Sequence, residues 1–384
     1  MDSSEKENLN AKLEEERKLR LRTQSLLEQK EMENNILKNK LEACEKQLQL
    51  NNSKPSNSQP HLQAKYLYSL PSCSRVIDYK EGSLLIDFSD GNTYGIKKIS
   101  SLDTNHLITI YTHNQPIKDL KVCPTKGDYR VLSVSFDKTV KMTETNSKSI
   151  ILNYKTNSPL WSCSWHPCEP FQIFSGSATG EIHVYDIRQT KSHLKLFQNP
   201  ERKPIHSLLH LPVPSLSPSQ SPHLEGSHVL LNATMNGVSL CNTNKLEFIP
   251  LSLGKCMSLS YDPQSEYTLL SYRQSPKQPL SSHVLTKLSY TPKTNWAVQE
   301  ERTFICGDVN NLLSKSVVWT MEDCHVVGVD KGKGKIWNVP KGKEALTLES
   351  ESTPLSFMNF KFNGLYYLAY LSANSLKLCQ LVYS

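Results

Sequence analysis

The segment VLSVSFDKTVKMTET occupies residues 131–145, and the segment IFSGSATGEIHVYDIR occupies residues 173–188. In each, an alternating apolar run ends at small polar residues, turns through Asp137-Lys138 or Thr179-Gly180, and continues into a second alternating run. Alternation with a period of two, interrupted by turn residues, predicts paired antiparallel strands. The two segments therefore predict two successive copies of one structural unit.

The copies end at positions whose spacing indicates a repeat. Thr143-Glu144 closes the first copy and Tyr185-Asp186 closes the second, 42 residues later. Related endings follow at Cys241-Asn242, 56 residues after the second, and at Trp337-Asn338, 96 residues after that. A WD repeat carries Trp-Asp at this position, and the spacings fit one blade, one blade with an insertion, and two blades of 48. We predict an all-β, seven-bladed WD40-type β-propeller.

The remaining blades follow from shorter alternating segments. A first blade is predicted from Arg75–Tyr79 to Leu107–Tyr111, and the next five at 113–156, 157–200, 201–250, 251–300 and 301–349. The last stretch, Pro354–Tyr383, offers only three strands. We expect Lys65–Leu70 to supply the fourth, because an exchange between the chain ends closes the ring and removes exposed sheet edges.

The N-terminal region has a different pattern. Residues 5–50 contain no Pro or Gly and place apolar residues at heptad spacing, which predicts a single long α-helix over residues 1–50 that forms a coiled-coil homodimer. Asn34 lies at an a position, where asparagine fixes register and a two-stranded state. The predicted seam consists of Leu13, Leu27, Asn34, Leu37, Leu41 and Leu48. Residues 51–61 are rich in Pro, Ser and Asn and predict a flexible linker before the propeller at 62–384.

Composition narrows the class of protein. No apolar run approaches the roughly 18 residues of a membrane helix, and the polar start MDSSEKENLN lacks a secretory signal, so we expect no membrane contact and a nuclear or cytosolic protein. The ten cysteines form no Cys-x-x-Cys pair, which argues against zinc ribbons. The net charge of +7 is spread over many residues and suits a solvated surface better than direct nucleic-acid binding.

Candidate chemical sites are few. Cys163, His166 and Cys168 in WSCSWHPC lack a second ligand pair, so they predict a strand and its exit turn rather than a metal site. The lysine-glycine run Asp330–Lys343 lacks the spacing of a phosphate-binding loop and predicts hairpin turns. No catalytic residue, metal site or cofactor is expected.

Two further motifs have structural interpretations. His113 precedes the predicted strand Ile117–Val122, and Asp137 follows 24 residues later, as in WD repeats where such a pair fixes a tight turn. Trp161 and Trp165 alternate along one strand, which predicts packing between blades rather than a stacking surface for bases.

Partner binding is expected where loops precede the innermost strands, since these loops line one rim of a propeller. The candidate contact residues are Asn114, Gln115, Pro116, Asn157, Ser158, Pro159, Arg202, Lys203 and Pro204. A separate insertion at 212–227 contains two Ser-Pro pairs and is either a kinase target or a plain surface loop.

The stretch at 135–194, SFDKTVKMTETNSKSIILNYKTNSPLWSCSWHPCEPFQIFSGSATGEIHVYDIRQTKSHL, resembles the propeller of the RING-finger-and-WD-repeat ubiquitin ligases of the replication-stress and Fanconi anaemia response. Further similarity occurs in FICGDVNNLLSKSVVW at 304–319, and the order of coiled coil, linker and propeller is the same. The resemblance implies a nuclear protein that engages replication protein A and recombinase on stalled or cross-linked DNA and promotes ubiquitination of these proteins.

That family carries a zinc-binding RING before the coiled coil, which recruits the E2, and no such element occurs in these 384 residues. We therefore expect E2 recruitment, zinc binding and ligase activity only through a RING outside this sequence, either lost by truncation or supplied by a partner. The leading hypothesis is the substrate-recognition and dimerisation part of a RING-type E3 ubiquitin ligase in interstrand cross-link and replication-fork repair. The alternative is a non-catalytic coiled-coil and WD40 scaffold in autophagy or trafficking, while an enzyme working alone is disfavoured because no paired carboxylates were found.

Overall fold

The computed structural model describes residues 61–383, apart from position 102 and segments 213–227, 243–246, 276–278, 292–294 and 308–312, together with positions 24 and 38. The region from residue 61 onward is one compact unit, His61–Ser384. The predicted helix at 1–50 with its seam, the linker before residue 61 and nearly all of the insertion at 212–227 lie outside the described residues and stay predictions.

The described chain is built from β-strands in seven four-stranded antiparallel sheets. The first strand is β1 (Leu62–Pro71). Blade 1 follows with β2 (Ile77–Lys80), β3 (Ser83–Asp90), β4 (Thr93–Ser100) and β5 (Leu107–His113). Blade 2 consists of β6 (Ile117–Val122), β7 (Arg130–Ser135), β8 (Thr139–Glu144) and β9 (Ser149–Lys155). Blade 3 consists of β10 (Leu160–Trp165), β11 (Gln172–Ser177), β12 (Glu181–Asp186) and β13 (Lys195–Gln198).

The second half of the unit repeats this arrangement. Blade 4 consists of β14 (Ser207–Pro212), β15 (His228–Ala233), β16 (Gly237–Asn242) and β17 (Glu247–Leu253). Blade 5 consists of β18 (Cys256–Asp262), β19 (Tyr267–Tyr272), β20 (Ser282–Thr291) and β21 (Asn295–Ile305). Blade 6 consists of β22 (Val317–Thr320), β23 (Cys324–Asp330), β24 (Lys333–Asn338) and β25 (Lys343–Thr347). Blade 7 contains β26 (Ser356–Phe362), β27 (Leu365–Leu371) and β28 (Ser375–Tyr383).

The first strands of the blades surround a central channel. They contact one another in a closed cycle that runs β2, β6, β10, β14, β18, β22, β26 and back to β2. In blades 1 to 6 the strands are then ordered outward as they occur in the sequence. The prediction of a seven-bladed all-β propeller is therefore confirmed.

The ring is closed by an exchange between the two ends of the unit. Strand β1 pairs antiparallel with β28, from Leu62 opposite Tyr383 to Pro71 opposite Ser375, and is the outermost strand of blade 7. The Tyr66 hydroxyl also accepts a hydrogen bond from the Glu349 amide at 2.6 Å. The sequence prediction of this exchange is confirmed, although the strand is longer than Lys65–Leu70.

The apolar core lies mainly between neighbouring blades. Val134, Val140 and Met142 of blade 2, for example, form one buried cluster with Trp165 and Ile173 of blade 3. A strand whose two faces both contact neighbouring sheets is shielded from solvent on both, which explains why five consecutive residues are buried in β7 and in β11. No helix in the described part of the chain is long and apolar enough to cross a bilayer.

Two predicted boundaries are wrong. The first strand of blade 1 begins at Ile77 rather than at Arg75, because the amides of Arg75 and Val76 donate to Asp87 Oδ1 at 2.7 and 2.8 Å. Blade 5 extends past residue 300 to Ile305, because β20 and β21 pair along a hairpin of ten and eleven residues.

Candidate partner-binding face

One end of the propeller carries all three predicted contact loops. The segments before the first strands and the turns between the second and third strands meet there, because neighbouring strands run in opposite directions. We call this end the loop face; in blades 1 to 3 it comprises residues 72–76, 91–92, 114–116, 136–138, 156–159, 178–180 and 199–206. The structure places all nine predicted contact residues on the loop face, and their role in binding stays a prediction.

The loop at 114–116 is held by a buried histidine. His113 Nδ1 lies 2.9 Å from Asp137 Oδ2, and His113 Nε2 lies 2.9 Å from Ser133 Oγ. Asp137 Oδ2 also accepts the Asn114 amide at 3.2 Å, while the Phe136 amide donates to the Pro116 carbonyl. The predicted link between His113 and Asp137 is confirmed, and it leaves the side chains of Asn114 and Gln115 exposed at the rim.

The surroundings of His113 and Asp137 shift the pKa values of both groups. Burial lowers the pKa of His113, and the hydrogen bond and charge of Asp137 oppose this only in part. The pKa of the Asp137 carboxyl is also lowered, because hydrogen bonds from His113, Thr139 and Asn114 outweigh its desolvation. A neutral imidazole that donates to a carboxylate can hold the turn through this hydrogen bond.

The loop at 157–159 is tied to the turn of blade 3. The Ala178 amide donates to the Pro159 carbonyl at 2.8 Å, and Ser158 Oγ accepts from Thr179 Oγ1 at 3.2 Å. Ser158 is buried, while Asn157 is exposed. Of this predicted trio, Asn157 is therefore the most accessible to a partner.

The loop at 202–204 lies against the same turn. Arg202 has a positive φ of 50° and donates its amide to the Asn199 carbonyl at 3.0 Å. Gly180, with φ +84°, permits this approach, because a Cβ at that position would stand 2.8 Å from Arg202 Cα. Arg202 and Lys203 are exposed and Pro204 is partly buried, so two positive charges stand at this part of the rim.

The centre of the loop face contains a cavity that the sequence did not predict. It has a volume of about 210 Å³ and is lined by Arg75, Val76, Ile117, Lys118, Trp161, His206, Met257, Leu313, Lys315 and Leu355. We call it the mouth cavity. Every blade contributes to it, so it exists only once the ring has closed.

Three of the lining side chains reach the mouth cavity through the same local irregularity. The pairing register shifts between residues 117 and 119 in β6, between 160 and 162 in β10, and between 256 and 258 in β18. The residue inside each shift is Lys118, Trp161 or Met257, and each of them lines the cavity. A β-bulge re-aims one side chain out of the alternating pattern, so these three residues point to the axis of the ring.

The bulge also corrects the interpretation of the two tryptophans. Trp165 packs between blades as predicted, 6% exposed, with its indole N–H donating to the Lys121 carbonyl at 2.9 Å. The prediction is wrong for Trp161, which is only partly buried and lines the mouth cavity. The repeat spacing contained a signal, since Lys118 and Trp161 are 43 residues apart and occupy the same place in successive blades.

Cations are concentrated at the mouth cavity. Lys118 Nζ lies 4.2 Å from the ring centre of Phe136 and 5.1 Å from that of Trp161. Burial lowers the pKa of Lys118, and the charge of Arg75 lowers it further. Among the described residues, neither Arg75 nor Lys118 forms an ion pair.

A salt bridge spans the channel below the mouth cavity. Lys315 Nζ, just before blade 6, lies 2.5 Å from Asp119 Oδ1 in blade 2. Asp119 also accepts the Cys163 amide at 3.0 Å. Although burial alone would raise the pKa of Asp119, the charges of Lys315 and Lys121 lower it. The pair therefore links the inner strands of blades 2 and 3 to the segment that precedes blade 6.

Cys163, His166 and Cys168 lie in a strand and the turn that follows it. Cys163 is buried in a blade interface, and burial raises the pKa of its thiol well above the usual range. His166 Nδ1 accepts the amides of Cys168 and Glu169 at 3.3 and 2.9 Å, which makes the predicted exit turn. No group of three metal-ligating side chains occurs within the described ranges. The run at 330–343 forms the turns on either side of β24.

Seven blades, a ring closed by the first strand and a His–Asp link in a blade turn define a WD40-type β-propeller with a loop face suited to binding. Residues 63–380 match the family described as the E3 ubiquitin-protein ligase RFWD3 WD40 domain. This match covers most of the chain, and the chain belongs to that family.

Three relatives carry the name E3 ubiquitin-protein ligase RFWD3. The chain is 27% identical to the Homo sapiens protein over 296 residues, which is 73% of this chain and 37% of that protein. It is 26% identical to the Ailuropoda melanoleuca protein over 286 residues, with 70% and 36% covered. It is 26% identical to the Mus musculus protein over 294 residues, with 73% and 37% covered. The chain thus spans little more than a third of the length of these relatives.

Proposed function

We propose that this chain is the substrate-recognition and dimerisation part of a RING-type E3 ubiquitin ligase that acts in the nucleus on interstrand cross-links and stalled replication forks. The observation that carries the proposal is the match of residues 63–380 to the WD40 domain of a ubiquitin ligase family. In this proposal the loop face binds repair proteins on single-stranded DNA, and these proteins become ubiquitinated by an E2 that a RING recruits.

The structure of the loop face supports a binding role. The exposed side chains of Asn114, Asn157 and Arg202 stand on loops that hydrogen bonds fix in place, so a partner would meet a preorganised surface. The proposed partners are replication protein A and a recombinase. Direct binding to nucleic acid is not part of the proposal.

Capture of purified replication protein A by the tagged 384-residue chain tests the receptor assignment. We expect capture by the wild-type chain and weaker capture by Asn114→Ala/Asn157→Ala/Arg202→Ala. A matched control, Thr125→Ala/Lys126→Ala/Lys191→Ala, changes exposed residues in the loops after the first strand of blade 2 and the third strand of blade 3, at the opposite end of the propeller. Absence of capture by the wild-type chain, or equal capture by all three proteins, would contradict the proposal.

Light scattering after size exclusion tests the dimerisation part. Leu37→Glu/Leu41→Glu places two charges in the predicted seam and should convert a dimer to a monomer, because the buried a and d positions hold the two helices together. Met32→Glu/Asn39→Glu introduces the same charges at f positions, outside the seam, and should leave the dimer intact. A wild-type chain that elutes as a monomer at micromolar concentration would overturn this part.

A further inference from the structure

We propose that the mouth cavity binds an acidic side chain of a partner protein, an Asp or Glu carboxylate flanked by apolar residues. The inference rests on the proposed partner-binding function and specifies its chemistry. It is based on the side chains that the three bulged strands and the neighbouring loops bring to the axis of the ring.

Charge at the cavity favours an anion. Arg75 and Lys118 both line it, and within the described part of the chain neither has an ion-pair partner. The carboxylate of Asp87 attracts Lys118, but it already accepts the backbone amides of Arg75 and Val76. Lys315, the third cation, is paired with Asp119. A ligand carboxylate would therefore meet two cations that form no ion pair with a described residue.

His206 provides a second, independent indication. Its side chain is buried, with the residue 7% exposed, and it lines the cavity. Neither ring nitrogen makes a hydrogen bond of good geometry with another described residue, although the backbones of Thr234 and Cys256 lie close enough to oppose the lowering of its pKa. Leaving a buried polar group unsatisfied costs on the order of 1–3 kcal/mol. A neutral imidazole carries one N–H, so a ligand carboxylate that accepts it would satisfy one of the two ring nitrogens.

The walls of the mouth cavity favour a ligand that carries apolar residues next to its acidic residue. Ile117, Trp161, Met257 and Leu355 line the same cavity, and methionine adapts its shape to different neighbours. Trp161 presents a partly buried ring beside Lys118. A peptide with an acidic residue between apolar ones would match both the cations and these walls.

Exposed carboxylates on the same face disfavour a nucleic-acid strand as the occupant, although exposed cations such as Arg202 and Lys203 also stand there. Asp90, Glu201, Glu349 and Glu351 are exposed at the same end of the blades. A phosphate backbone that crossed the loop face would pass these carboxylates, and like charges repel. A single carboxylate that enters the centre of the ring avoids them.

A peptide array tests the proposal with the intact chain. Each spot carries heptapeptides of random sequence with one fixed central residue: Asp, Glu, Asn, Gln or phosphoserine, with a single-stranded oligonucleotide as a further spot. We expect Asp and Glu spots to bind the wild-type chain about tenfold more strongly than their amides, a ratio that corresponds to about 1.4 kcal/mol.

Variants of the chain test whether the acidic peptides bind at the mouth cavity. Arg75→Gln/Lys118→Gln should abolish the preference for acids, and Lys118→Arg should keep it. Lys126→Gln/Lys191→Gln removes the same charge from exposed loops at the other end of the blades and should keep it too. Thermal unfolding establishes that each variant is folded. Equal binding to acids and amides, a preference that survives Arg75→Gln/Lys118→Gln, or stronger binding to phosphoserine or the oligonucleotide would overturn the proposal.

The two proposals can fail separately. Selective binding of acidic peptides without capture of replication protein A would contradict the receptor assignment and leave the cavity assignment in place. The cavity assignment alone would be contradicted by two results together. The wild-type chain would show no preference for acidic peptides on the array, and Arg75→Gln/Lys118→Gln would capture replication protein A as strongly as the wild type.

Discussion

At the scale of single residues, His113 connects the rim of the propeller to its interior. We expect His113→Ala to lower the free energy of unfolding by about 2–3 kcal/mol, because Asp137 and Ser133 lose a partner inside the fold. Urea titration of the 384-residue chain measures the change. His106→Ala removes an exposed imidazole that lies 2.7 Å from Asp103 and should have no measurable effect. Equal losses for the two variants would contradict this account.

Gly328 in β23 is the second test at this scale. A Cβ there would stand 2.2 Å from Nε2 of His283, which is buried with 1% of its surface exposed. Gly328→Ala should therefore lower the free energy of unfolding by roughly 1–3 kcal/mol. In Gly328→Ala/His283→Ser the smaller side chain relieves the clash, so the double variant should lose less than the sum of the two single variants. Additive losses would show that the two residues do not interact.

At the scale of elements, β1 decides whether the ring is closed. A chain that begins at residue 72 lacks β1 and exposes the edge of β28, whereas a chain that begins at residue 61 keeps this pairing. The shorter chain should unfold about 10 °C or more below the longer one and should self-associate, because an open ring loses the buried Leu62 and presents an unpaired strand. Calorimetry and light scattering measure the two effects. Identical melting temperatures would show that blade 7 is stable with three strands.

At the scale of the whole molecule, buried histidines determine the response to acid. Burial lowers the pKa of His183, His206 and His283 from 6.5 to about 4. Below pH 6.5 the unfolded chain binds protons that the folded chain does not, so stability falls as the pH drops from 6.5 towards 4. Each imidazole contributes on the order of 2–3 kcal/mol to this loss.

Urea titrations at pH 7, 6, 5 and 4.5 measure the effect. His183→Gln removes one of these titrating groups and should make the decline shallower. Asp128 and Asp186 affect stability over a lower pH range. Hydrogen bonds from arginine outweigh burial and lower their pKa values to about 2. Their contribution to the free energy of unfolding is therefore lost only below about pH 4. Stability that stays constant between pH 6.5 and 4.5 would contradict the assignment of neutral histidines.

The sequence determined those features that depend on local alternation, turn chemistry and repeat spacing. The strands around Asp137-Lys138 and Thr179-Gly180, the exchange of β1 into blade 7 and the link between His113 and Asp137 follow from these signals. The positions of the three contact loops followed as well, because alternating strands place them at one end.

Only the tertiary structure decided what stands at the centre of the ring. The bulges that turn Lys118, Trp161 and Met257 into the mouth cavity depend on how neighbouring blades pack, and alternation alone placed Trp161 on the wrong face. The salt bridge between Asp119 and Lys315 joins residues 196 positions apart, and no local pattern relates them. A cavity that seven blades share forms only when the ring closes, because its wall is assembled from side chains that are distant along the chain.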